Sequence, residues 1–236
     1  MGIVMTIHWK TAFQLAPVFA VASVAPNAFP AALSGIASLK ELAIYAVLPA
    51  TVLLLILALV SRPLGAPMIA QVIVRGAVAG AVATVGLELI RYPGFLMGMM
   101  PGNLPELMGV LLLDQFASGP SMASSAAGFA YHFLNGACFG ILFAGIAAIG
   151  LVKETLPYTV GYGILIGIGF MISPVVESLG VGFFGIQFGW QFAATVTAAH
   201  ACFGAVLAPM FRLLRPVPSH QQADWVLSNA AAPQSH

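Results

Sequence analysis

Residues 41–61 read ELAIYAVLPATVLLLILALVS, and Arg62-Pro63 follows at once. After Glu41 the stretch carries no charge. A helix of roughly 20 apolar residues is what the hydrocarbon layer of a membrane requires. No water is present at that depth to satisfy N–H and C=O groups, so such a run must be a helix. Composition extends the reading to the whole chain. Of 236 residues, 60% are hydrophobic and 6% charged, and the mean hydropathy is +1.00. A soluble domain covers its surface with roughly 25% charged residues, which this chain cannot do. The fold class expected is an all-α polytopic transmembrane bundle.

Four further segments qualify, at about 76–98, 126–150, 157–180 and 191–211. Arg62 and Arg75 fall between the first two spans, Lys153 between the third and fourth, and Arg212 and Arg215 after the fifth. The other two loops contain no Lys or Arg. Basic loops stay on the cytoplasmic side, so the alternation predicts a multi-pass protein of the bacterial inner membrane with a cytoplasmic C-terminus.

Residues 1–40 are apolar enough to enter a membrane, but Pro17, Pro26 and Pro30 interrupt a continuous helix. A broken sixth span, a re-entrant segment and a signal-peptide-like stretch all fit this pattern. Within the bundle at 41–212, the outer connection 99–121 combines Pro-Gly-Asn turn chemistry with a short apolar run bearing Glu106 and Asp114. It reads as an interfacial or re-entrant helix over the outward face. Residues 213–236 read as a mostly disordered cytoplasmic tail, with Trp225 as a surface anchor.

Ionisable groups at membrane depth are costly, and they mark function by default. Here they are Glu88, Arg91, His132, Glu177 and His200. Counting helical rise from the nearest basic residue or loop puts Glu88 and His200 roughly 20 and 18 Å from the inner side, and Glu177 and His132 roughly 30 and 31 Å. The expectation is two carboxylate–imidazole rungs, Glu88/His200 and Glu177/His132, with Arg91 between them, able to hand on protons or hold a ligand. The plainer alternative is that Glu88 and Arg91, at i and i+3, neutralise each other.

A haem b held by two histidines needs both imidazoles at one level, and the offset of roughly 13 Å between His132 and His200 argues against that pair. A haem with one histidine stays open. Met97, Met99, Met100 and Met108 cluster near the outer edge, where thioethers suit Cu(I) or fill gaps in packing. The glycines at 161, 163, 167 and 169 read as close-packing positions. No zinc-type Cys/His spacing or nucleotide-binding fingerprint stands in a fitting context. A net charge of +1 with no basic patch excludes nucleic acid, leaving the lipid bilayer and other membrane subunits as expected partners.

ACFG occurs twice, at 137–140 and 201–204, and His-x-x-x-Gly occurs at His132/Gly136 and His200/Gly204. The pattern fits a degenerate repeat of two helical hairpins, 76–150 and 157–211. The elements PGNLPELMG (101–109), YHFLNGACFG (131–140) and AHACFGAVLA (199–208) give residues 70–212 a further meaning. Together they resemble a group of bacterial polytopic inner-membrane proteins of unknown function. That resemblance implies the architecture and carries no mechanism. Three functions follow as expectations: a subunit of a redox complex handling protons, quinol or haem; a small transporter or channel using the same residues; or a structural assembly subunit.

Overall fold

The computed structural model describes residues 7–215. Nearly all of the expected C-terminal tail, Trp225 included, lies outside the described residues. The regular structure among them is all helix, with no strand. The helices are α1 (Trp9–Ala22), α2 (Val24–Leu33), α3 (Leu39–Leu42), α4 (Leu48–Val60), α5 (Pro67–Leu96), α6 (Leu104–Leu112), α7 (Met122–Ala148), α8 (Leu156–Met171), α9 (Pro174–Ser178) and α10 (Trp190–Leu213).

A π-helical turn, Ala43–Val47, joins α3 to α4. Pro49 explains it: proline has no N–H to donate and its ring presses on the carbonyl four residues back, so the helix widens there. The resulting rod Leu39–Val60, together with α5, α7 and α10, gives four helices long and apolar enough to cross a membrane. The α1–α2 pair makes a fifth if taken as one bent span. The surface agrees with this. Tyr45, Leu55 and Leu59 on the rod are 79%, 59% and 76% exposed, which water would not favour. The architecture is compatible with a multi-pass membrane protein.

The proline-rich start of the chain runs from one end of the bundle to the other. His8 N–H donates to the Ile149 carbonyl at the C-terminal end of α7. At the opposite end the Ser178 hydroxyl reaches the Leu33 carbonyl, and Lys40 pairs with Asp114 at 3.6 Å. Between them the chain bends by 40° at Ser23. Pro26 cannot donate to the Ala22 carbonyl four residues back, which weakens the helix at that point. The Tyr131 hydroxyl donates to the Ala25 carbonyl at 2.6 Å and holds the bend against α7.

Two expected boundaries shift. The segment at 157–180 is not one helix: α8 ends at Met171, and α9 is a separate short turn starting at Pro174. The second span begins at Pro67, so Arg75 lies inside α5 rather than in a loop.

Glycine sets the closest packing. Methyl groups at Gly76 or Gly80 of α5 would strike the backbone of Gly140, Ile141 and Gly136 on α7. A methyl at Gly163 of α8 would strike the His200 carbonyl, and one at Gly204 would strike Thr159. This is small-residue packing of the kind that substitutes for hydrophobic drive in lipid. Gly161 and Gly169 face open space instead, so the expectation that all four α8 glycines serve close packing holds for Gly163 and Gly167 only.

Candidate functional site

The site grows from α5. Glu88 and Arg91 lie one turn apart on its upper half, so their side chains meet on one face. Arg91 Nε and Nη2 donate to the two Glu88 carboxylate oxygens, each at 2.6 Å. This fork-to-fork geometry is the strongest form of the pair. The Arg91 and Glu88 side chains are 5% and 14% exposed. From α7, His132 brings Nε2 to 2.9 Å from the same carboxylate. The ring nitrogen is not aimed at the oxygen along a hydrogen-bond direction, so this is a close approach of imidazole and carboxylate rather than a formed hydrogen bond.

Two of the expected pairings are therefore corrected. Glu88 faces His132, not His200, and Glu177 lies exposed on α9, in no ion pair among the described residues. The depth count erred because it treated residues 149–153 as helix. Those residues form the turn after α7 and add no rise along the axis. Counted from Ala148, His132 lies roughly 24 Å from the basic end, close to the roughly 20 Å of Glu88.

A cavity of about 460 Å³ opens beside this cluster, walled by α2, α5, α6, α7, α8, the start of α9 and α10. Arg91, His132 and His200 all line it, so the structure does bring both histidines to one space. The remaining wall is mostly apolar and aromatic, including Phe29, Phe139, Phe170 and Phe203. Three polar atoms on its lining residues have no hydrogen-bond partner: Arg91 Nη1, the Asn135 side-chain oxygen and His132 Nε2, the last turned towards Glu88. Leaving such groups unpaired in an apolar interior costs about 1–3 kcal/mol each, so their presence points to a ligand or water. Sequence reasoning missed Asn135. Its spacing of three from His132, in an otherwise apolar helix, was the available signal.

His200 is built differently. Its Nδ1 lies 2.8 Å from the Val196 carbonyl one turn back, and the Phe170 ring stacks on it at 6.4 Å. That leaves Nε2 free, the arrangement a metal-ligating histidine adopts. Of the four methionines, Met100 and Met108 line the same cavity, Met99 contacts the Thr195 hydroxyl at 3.7 Å, and Met97 is exposed. They do not converge on a copper site. Among the described residues, no group of three or more His, Cys, Asp or Glu gathers to hold a metal. Glu106 sits in the first turn of α6, where its charge suits the helix N-terminus, and Asp114 forms the exposed pair with Lys40. Neither reaches the cavity.

Comparison with protein-family models, with curated proteins and with solved structures found no match to this chain. Fold and site define the class: an all-helical bundle with several apolar helices and one charged cluster set against an internal, largely apolar cavity.

Proposed function

We propose that this protein is a membrane subunit of a redox complex, and that its internal cavity binds a quinone or quinol. The observation that carries the reading is Arg91. Two of its three guanidinium nitrogens are spent on Glu88, and the third, Nη1, is buried without a partner on the wall of an apolar cavity.

The chemistry of such a pocket selects its occupant. Glu88 already neutralises Arg91, so the pair attracts a neutral polar head more than a free anion. A quinone carbonyl would accept from Arg91 Nη1, and a quinol hydroxyl would donate to the Asn135 oxygen. The aromatic wall suits the ring. Oxidation of a quinol releases two protons and two electrons. In this reading His132 takes one proton, the Glu88 carboxylate at 2.9 Å stabilises the imidazolium that forms, and the second proton is released to solvent. The electrons pass to a redox-active partner subunit.

Two measurements test this. Quinone extracted from protein purified in mild detergent is expected at near one molecule per chain, and Asn135→Leu is expected to reduce it about tenfold or more. That variant removes an oxygen with no hydrogen bond to lose, so folding should survive it. A chain that carries no quinone, and takes up none from added short-chain quinone, overturns the reading. The free Nε2 of His200 supports a second reading, a haem ligated there, which an absorption spectrum decides: a Soret band lost in His200→Ala would establish it.

A further inference from the structure

A second cavity, of about 440 Å³, lies at the opposite end of α5, away from the Arg91 cluster, between the start of α5, the end of α7, the turn 149–155 and the end of α10. Arg75, Lys153 and Arg215 line it, with Glu154 as its carboxylate. Glu154 is already engaged. Arg75 Nη2 donates to both of its oxygens, at 3.0 and 3.2 Å, and also to the Phe211 carbonyl at 3.1 Å. The guanidinium also lies over the Phe211 ring, 5.6 Å from its centre. Arg75 is thus held in place, and its Nε is buried with no partner.

Lys153 and Arg215 are exposed and form no ion pair among the described residues. The rim therefore carries two uncompensated positive charges. Below it the wall is apolar and made mostly of small side chains: Val72, Ala144, Ala147 and Ala148. A small anion in water would need the rim alone. An apolar slot beneath a cationic rim fits a molecule with a charged head and a hydrocarbon chain.

We infer that this cavity binds an anionic phospholipid, its phosphate against Lys153 and Arg215 and the first part of an acyl chain along the alanines of α7. Basic recesses between membrane helices at the positively charged end take lipid headgroups by this logic. The bound lipid would bridge α5, α7 and α10 at this end, beside the Arg75 network.

The test uses the full chain, purified and delipidated in mild detergent, and follows its thermal unfolding. Dioctanoyl phosphatidylglycerol is expected to raise the midpoint by about 5 °C at saturation. Dioctanoyl phosphatidylcholine and inorganic phosphate at matched ionic strength are expected to leave it unchanged. In the double variant Lys153→Gln/Arg215→Gln the shift is expected to vanish while the lipid-free midpoint stays that of the parent. Equal stabilisation by phosphatidylcholine would overturn the inference by showing that the chain alone binds. Stabilisation by phosphate alone would overturn it by identifying a free anion as the ligand. A double variant that responds as the parent does would place the headgroup elsewhere. None of these outcomes bears on the quinone reading, which rests on the other cavity.

Discussion

Replacing Glu88 with glutamine tests the charged cluster most directly. The amide is nearly the shape of the carboxylate but removes its charge and one of its two acceptors. Arg91, 5% exposed, would then hold an unmatched cation in an apolar interior. Breaking a buried ion pair from one side costs about 3–5 kcal/mol. Placing a charged residue at the centre of a membrane helix costs about 2.5–3.5 kcal/mol on insertion scales, an independent route to the same size. The expected loss is therefore about 3 kcal/mol, or more than a hundredfold in the folding equilibrium. Reversible unfolding in mixed detergent and dodecyl sulfate, followed by circular dichroism, measures it.

The companion variants sharpen the test. Arg91→Gln leaves the carboxylate facing His132 at 2.9 Å. That carboxylate is less deeply buried than Arg91, 14% exposed against 5%, so this variant should lose less than Glu88→Gln. The double variant Glu88→Gln/Arg91→Gln removes both charges and should be more stable than Glu88→Gln alone. A Glu88→Gln loss below about 1 kcal/mol, or a double-variant loss equal to the sum of the singles, would refute the reading of a tightly coupled buried pair.

Two further outcomes follow from the packing. Gly163→Ala should destabilise by about 1–3 kcal/mol, because its methyl meets the His200 carbonyl, whereas Gly161→Ala, which faces open space, should be neutral or slightly stabilising; the same unfolding assay compares them. Tyr131→Phe removes the hydroxyl that holds the Ala25 carbonyl, so amide exchange should rise about tenfold around the bend at 18–30, with little change in α10.

The all-helical class and the main apolar helices were legible in the sequence, because hydrocarbon length and a scarcity of charge leave few alternatives. Their ends were less so. Pro67 at the first turn of α5 is a start signal, but the segment was read from Gly76, so Arg75 was placed in a loop. The break after Met171 was masked by Val175 and Val176, which are apolar yet belong to a separate turn. All five ionisable residues expected at membrane depth were visible as sequence, and three of them, Glu88, Arg91 and His132, meet. Which partner each takes was not visible, since pairing depends on where helices end. Five residues of turn counted as helix moved His132 by about 8 Å, enough to exchange its partner.

The repeated ACFG then has a structural reading. In each hairpin the second helix carries His-x-x-x-Gly, and that glycine packs on the first helix: Gly136 against the Thr84 side chain and the Gly80 carbonyl, Gly204 against the backbone of Thr159 and Val160. The histidine repeat is 68 residues and the ACFG repeat 64, a difference of four, so both alignments put a glycine on the same helix face. Taking Gly80 as the counterpart of Thr159, the residue eight further on is Glu88 in the first hairpin and Gly167 in the second. Glu88 is the group that faces His132, and Gly167 is the residue whose missing side chain leaves room against His200. The two histidines thus reach one cavity from two hairpins with different neighbours, the Glu88 carboxylate beside His132 and the Gly167 backbone and Phe170 ring beside His200.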